Sequence, residues 1–242
     1  MEAIRAINLT KKYKDTLAVD NLNLQVEQGM LLSLLGINGA GKTTTIKMLS
    51  CLTQPTEGDA LLYGKSILTE SMDVKAMIAV SPQETAIAPR LTVRENLELI
   101  CGVYGFGKNK REARISEMVR LLRLEPIINK MGGKLSGGWQ RRLSIAMALI
   151  SEPKILFLDE PTLGLDVIAR SELWDLIRSI KGKVTVILTT HYMEEAEALS
   201  DRIAIMKDGR LLICATAEEI KAHAGESSFE KAFINIVREA EK

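Results

Sequence analysis

Neither sign of charge dominates this chain. It carries 32 Lys and Arg against 31 Asp and Glu, a net charge of +1. The bulk excess of positive charge that marks polyanion binders is missing, so no nucleic-acid partner is expected. Cysteine is scarce. Cys51, Cys101 and Cys214 are widely spaced, odd in number and set among apolar neighbours. They form no disulfide framework and no paired zinc module, and read as buried thiols in a reducing compartment. No apolar run approaches the ~20 residues a membrane span requires. No charged-then-apolar leader follows Met1, so no signal peptide is expected. Heptads, repeats and low-complexity segments are also missing. What remains is a chain of 242 residues, 46% hydrophobic and 26% charged. That is enough for one large domain with a substantial core.

The organising stretch is Gly36-Ile37-Asn38-Gly39-Ala40-Gly41-Lys42-Thr43, which fits G-x-x-x-x-G-K-[ST], the P-loop pattern. The apolar run at residues 30–35 reads as a buried strand before it, and residues 44–52 read as a helix after it. Glycines let the backbone turn its N–H groups around a phosphate chain, and the helix N-terminus adds a positive dipole end. Lys42 supplies a mobile positive charge for the outer phosphates, and Thr43 a hydroxyl for Mg²⁺. A chance glycine loop would lack this strand–loop–helix setting.

Residues 1–28 alternate apolar and polar positions around a turn at 11–16, and read as antiparallel strands. Tyr13 in that turn could stack on a nucleobase or simply be a half-buried turn tyrosine. Strands are expected at 60–63 and 76–81, the latter running into Pro82-Gln83. Thr92-Val93-Arg94-Glu95 has the spacing of a capping box, so a helix should begin near Val93. Ile115, Met118, Val119 and Leu122 share one face of a helix over 110–124. Residues 89–149 thus read as a helical insert in an α/β core. Leu135-Ser136-Gly137-Gly138 then opens a helix over 139–150, with Ser136 as its capping residue. It reads either as a plain cap or as a second anion cradle. One ATPase site needs one cradle, so a second implies service to another copy of the chain in a head-to-tail dimer.

Residues 155–160, Ile-Leu-Phe-Leu-Asp-Glu, read as a strand covered on both faces and ending in two carboxylates. Ligands of parallel sheets bind beyond the carboxyl ends of strands. Asp159 is then placed to hold Mg²⁺, and Glu160 to polarise an attacking water. His191 closes a strand at 184–188, where it is either structural or a γ-phosphate contact. Asp208-Gly209 marks a hairpin between strands at 201–206 and 210–214. A capping sequence at Thr216 opens a last helical region, and residues 227–242 read as a surface helix.

Taken in order, Tyr13, the P-loop, Gln83, Leu135-Ser136-Gly137-Gly138, the strand at 155–160, Asp166 and His191 resemble the nucleotide-binding subunit of ATP-binding cassette transporters, over residues 3–215. The resemblance implies a P-loop NTPase fold of the α/β class. A mainly parallel sheet flanked by helices would fill residues 1–88 and 150–215, with an antiparallel β subdomain at its N-terminal end. A helical subdomain would occupy 89–149 and a tail 216–242, all in one domain. It also implies ATP hydrolysis with Mg²⁺. Tyr13 would stack on adenine; Asn38, Gly39, Ala40, Gly41, Lys42, Thr43 and Thr44 would bind phosphates; Thr43, Gln83 and Asp159 would form the metal shell. Glu160 would be the general base, with His191, Lys42 and Gln83 completing the catalytic set. Ser136 and Gly138 would close on ATP held by a second copy or a homologous subunit, and Asp166 would line that interface.

The resemblance further implies a membrane-spanning permease as partner, with the chain attached through it to the inner face of the membrane. The docking surface would be near residues 83–98, including Ile87, Ala88, Leu91, Arg90 and Arg94. The tail from Thr189 onward looks most like single-domain exporters of the drug, antibiotic, sodium or polysaccharide type. A soluble cassette ATPase, such as one for iron–sulfur assembly, is the competing class. Three positions depart from the family pattern. Trp139 stands where glutamine is frequent, Arg141 where many members carry a second glutamine, and Ile37 where proline is common. Trp139 is expected to alter the helix's outward face.

Overall fold

The computed structural model describes residues 1–240; Glu241 and Lys242, the end of the expected C-terminal helix, lie outside the described residues. In chain order the elements are β1 (Glu2–Tyr13), β2 (Thr16–Glu27), β3 (Leu31–Leu35), α1 (Lys42–Leu49), β4 (Glu57–Leu62), β5 (Lys65–Ser66), α2 (Ser71–Met77) and β6 (Ile78–Ser81). Then come α3 (Val93–Val103), α4 (Lys108–Leu121), α5 (Gly137–Leu149), β7 (Ile155–Asp159), α6 (Val167–Ile180), β8 (Thr185–Thr190), α7 (Met193–Leu199), β9 (Arg202–Lys207), β10 (Arg210–Ala215), α8 (Ala217–His223) and α9 (Phe229–Glu239).

The strands form two sheets. The first is antiparallel, in the order β2-β1-β4-β5; the second has the order β10-β9-β3-β8-β7-β6. In the second sheet β9, β3, β8, β7 and β6 run parallel and β10 closes the edge antiparallel. Side chains of successive strand residues point to opposite faces. Leu31, Leu156, Leu158, Val186 and Leu188 therefore join a core shared with α3 to α6. Leu32, Leu34, Ile155, Phe157 and Ile187 join a second core with β1, β2, β4 and α1. This double covering is why these strands read as unbroken apolar runs. Each fully buried Leu, Ile or Phe contributes about 1.5–3 kcal/mol. A third core gathers Leu35, Ile203, Ile205 and α9 residues Phe229, Ala232, Phe233 and Ile236. The last four share one helical face, so α9 is docked by an apolar stripe rather than lying loosely on the surface.

Several boundaries differ from expectation. The first turn is confined to Lys14-Asp15, with Lys14 at φ 49°. The strand expected at 76–81 begins only at Ile78, because Ala76 and Met77 end α2. The helix expected from Trp139 begins two residues earlier, at Gly137. Only Cys101 is fully buried; Cys51 and Cys214 are half-buried. The capping box at Thr92 is present in both directions, and a second closes on Thr216 and Glu219. Among the described residues no helix is long and apolar enough to cross a membrane.

Candidate nucleotide site

The site is assembled at the carboxyl ends of β3, β7 and β8, which the parallel pairing brings side by side. The loop after β3 is shaped by glycine. Gly41 sits at φ 97°, and a Cβ there would lie 2.5 Å from the Ala18 carbonyl oxygen. A Cβ on Gly36 would lie 2.4 Å from the Met206 carbonyl oxygen. Lys42 is buried beneath the loop and donates to the carbonyls of Gly36 at 2.7 Å and Ile37 at 3.1 Å. Burial pushes its pKa down, and the charges of Glu160 and Asp159 partly offset that. The Ile37 side chain is half exposed at the loop tip, so the fold places no packing demand on it.

Asp159 ends β7 opposite Thr189 of β8. Its Oδ1 accepts from Thr43 Oγ1 at 3.1 Å and from Thr189 Oγ1 at 2.5 Å. Glu160 follows in the left-handed region at φ 47°, its N–H donating to the Thr189 carbonyl and hydroxyl. That turn swings the Glu160 carboxylate off the strand, and Oε2 lies 3.4 Å from His191 Nδ1. The His191 ring packs on Tyr192 at 4.1 Å, and the Arg170 guanidinium covers Tyr192 from beyond.

A cavity of about 800 Å³ opens above these groups. Asn38, Gly39, Ala40, Gly41, Lys42, Thr43 and Thr44 line it, together with Gln83, Glu160 and His191. Thr16, Leu17, Ala18, Leu163 and Asp208 complete the wall. The donors around Thr43, Asp159 and Gln83 are all oxygens, which suits a hard divalent cation such as Mg²⁺ beside phosphate oxygens. A loop of free N–H groups, a buried lysine, an oxygen-lined metal position and a carboxylate–histidine pair are the parts of a phosphoryl-transfer site.

Five expected site residues lie outside this wall, Asp159 among them because it is buried. Tyr13 is exposed, under the Lys11 ammonium at 5.0 Å, one hairpin rung from the cavity through its pairing with Thr16. Ser136 and Gly138 stand apart from the cavity, at the N-cap and in the first turn of α5, with Ser136 exposed. Ser136 occupies the N-cap position of α5, yet its hydroxyl makes no capping bond, contrary to the expectation of a capping serine. Asp166 caps α6 instead, Oδ1 accepting from the Ala169 N–H at 2.9 Å. Trp139 does not form an outward face: its ring packs against the large core and carries the Arg142 guanidinium at 4.5 Å. Sequence reasoning missed Thr189 and the Thr16–Ala18 wall. The Thr189-Thr190 pair before His191 was the available signal for the first; the second depends on a hairpin folding across from the P-loop.

A family model described as "ABC transporter" matches residues 19–163. This chain belongs to the ABC transporter family. Daunorubicin resistance ATP-binding protein DrrA3 of Streptomyces coeruleorubidus is 41% identical over 224 residues, covering 92% of this chain and 71% of that protein. A probable multidrug ABC transporter ATP-binding protein of Escherichia coli K12, YbhF, is 38% identical over 99% of this chain and 42% of its own length. The chain spans 25% of ABC transporter A family member 1 from Dictyostelium discoideum, at 41% identity. Among solved structures, an ATP-binding subunit of an ABC transporter superposes with a TM-score of 0.85 at 27% identity, over 97% of this chain and 99% of that one. An ATP-binding cassette solved as a dimer in a post-hydrolysis state with ADP and Pi gives 0.79 at 29% identity, over 88% and 98%. The α/β fold of the chain is that of ABC ATP-binding subunits.

Proposed function

We propose that this chain is the motor subunit of a membrane exporter, in which two such subunits close head to tail over two ATP molecules. The observation that carries the reading is the separation of two cradles. The P-loop, Glu160 and His191 share one cavity, while the exposed Ser136–Gly138 loop takes no part in it. A second protomer, its own copy or a homologous subunit, brings that loop over the ATP. Lys42 and the loop N–H groups hold the phosphates. Glu160 orients and polarises the attacking water, and His191 keeps the Glu160 carboxylate turned toward it. Mg²⁺, held by Thr43, Gln83 and Asp159 along with phosphate oxygens, supplies charge neutralisation at the transferring phosphoryl group. On the base side, Tyr13 and Leu17 offer the flat and apolar contacts.

The permease is a separate membrane-spanning partner, which holds the subunit at the inner face of the membrane. Its docking surface includes the exposed part of residues 83–98, Ala86 and Arg90 among them. Ile87 packs on the core, Ala88 is tied up with Asn96, and Arg94 is paired with Glu98 and Glu112. Exposed apolar side chains include Leu52, Leu99, Val103 and Tyr104, of which Leu52, Val103 and Tyr104 border a cleft of about 370 Å³ beside β6 that Pro82 and Ala86 also line. Relatives named for daunorubicin resistance and Nod factor export support the outward direction. The three core clusters support reading residues 1–88 with 150–215, 89–149 and 216–242 as parts of one domain.

The test is Glu160→Gln with ATP and Mg²⁺, followed by light scattering. The expected result is bound, unhydrolysed ATP and a stable dimer. A variant that holds ATP yet stays monomeric, both alone and with permease-bearing membranes, would overturn the composite-site reading.

A further inference from the structure

Arg141 is 6% exposed, and among the described residues no carboxylate lies within salt-bridge distance of it. Two other buried arginines have carboxylates: Arg142 of α5 pairs with Glu172, and Arg114 of α4 with Glu117 and Glu152 besides the Leu149 and Ile150 carbonyls. Burying an unpaired guanidinium is costly unless its donors are used. Here they are used on backbone. One Nη donates to the Pro82 carbonyl at 2.6 Å and the other to the Gln83 carbonyl at 2.7 Å. Two consecutive carbonyls are thus held by one planar fork, each by its own nitrogen. One turn further along α5, Ser144 Oγ meets Ser81 Oγ at 2.9 Å, so two rungs of the helix stitch the same seam. Burial lowers the Arg141 pKa, with the more distant Asp159 and Glu195 opposing.

The location gives this seam meaning. The chain leaves the sheet at the end of β6, passes through the helices of residues 89–149, and returns along α5 to β7. Pro82-Gln83 is the outgoing crossing and α5 the returning one. Gln83 lines the nucleotide cavity, while α5 begins at the Ser136–Gly138 loop.

We propose that Arg141 is a positioning residue: its guanidinium fastens the Pro82–Gln83 turn to α5, so that the Gln83 side chain and the Ser136–Gly138 loop move as one body. The proposal rests on the reading of Gln83 as a contact to the metal–nucleotide complex. Its first test needs no nucleotide. Hydrogen–deuterium exchange of Ala88, the first amide after the turn with a hydrogen-bond acceptor, should speed up about tenfold in Arg141→Gln, the range expected for loss of charged hydrogen bonds. Unchanged exchange there would overturn the proposal. The second test is the Mg²⁺ concentration that half-saturates ATP hydrolysis. Arg141→Gln should raise it about tenfold, the scale of a lost supporting contact, and should add nothing in a Gln83→Ala background. A normal Mg²⁺ dependence in Gln83→Ala alone would remove the reading of Gln83, and the proposal with it. A shifted Gln83→Ala on which Arg141→Gln multiplies would show that Arg141 acts elsewhere, and would overturn the proposal alone.

Discussion

The two glycine loops of this chain, residues 36–43 and 135–138, are built on opposite terms. In the first, glycine is required by the protomer itself. Gly39 and Gly41 have φ of 86° and 97°, and side chains at Gly36 or Gly41 would strike backbone carbonyls. In the second, neither glycine has a positive φ. A Cβ on Gly137 would meet only the Leu165 side chain at an ordinary 3.5 Å. Ser136 tells the same story in another currency. Thr92, Asp166 and Thr216 spend their side chains capping α3, α6 and α8, whereas the Ser136 hydroxyl is left free. Gly138 is packed more closely, since a Cβ there would lie 3.1 Å from the Ala169 Cβ. A capping position whose hydroxyl and first glycine answer no demand within the protomer is shaped for something outside it.

That contrast can be broken most sharply by hydrolysis. Lys42→Ala and Gly138→Val should each reduce phosphate release by about 10²–10³-fold, the scale of losing a transition-state contact. Only the first should lose ATP binding by the single chain. Mixing the two variants should restore activity, because one of the two composite sites in the mixed dimer is then intact. Failure of the mixture to recover would count against service in trans. Next in size is stability. Gly41→Ala should cost about 1–3 kcal/mol through backbone strain and the close Ala18 carbonyl, whereas Gly137→Ala in the first turn of α5 should be neutral in urea unfolding. Thr92→Ala should then cost about 1 kcal/mol as a lost cap. Ser136→Ala should change stability by less than about 0.5 kcal/mol while weakening ATP-dependent dimerisation.

The smallest effect lies in pH. Glu195 is fully buried behind the P-loop site, with Trp174 Nε1 donating to it at 3.0 Å. Burial raises its pKa, against the opposing hydrogen bond from Trp174 and the charge of Arg170. A carboxyl with a raised folded-state pKa contributes fully below its ordinary value of 4.5 and loses that contribution as pH rises through the raised one. Glu195→Gln should therefore flatten the decline in Tm above that range. An unchanged slope would place the titration elsewhere.

What could be read in the residues was whatever a local pattern encodes. The P-loop, the run at 155–159 and the Thr92 and Thr216 caps are each set by neighbours in sequence. The α2 helix escaped because its seven residues bury only Val74 and so show no apolar face. The grip of Arg141 on Pro82 and Gln83 spans nearly sixty positions, and no short-range periodicity announces it. No local pattern marks where Tyr13 stands, one rung beyond the wall that Thr16 and Leu17 form across the Lys14-Asp15 turn. The inward packing of Trp139 likewise depends on Arg142 and α6, which are set by tertiary structure.

Glu160 holds its carboxylate in place from a backbone conformation that favours glycine or asparagine, at a cost of about 1 kcal/mol. A chain selected for durability alone would not keep glutamate there. Glu160→Gly should yield a protein that withstands denaturant better and does nothing with ATP, and a stability screen run without any nucleotide would mark this position as one where selection has favoured chemistry over firmness.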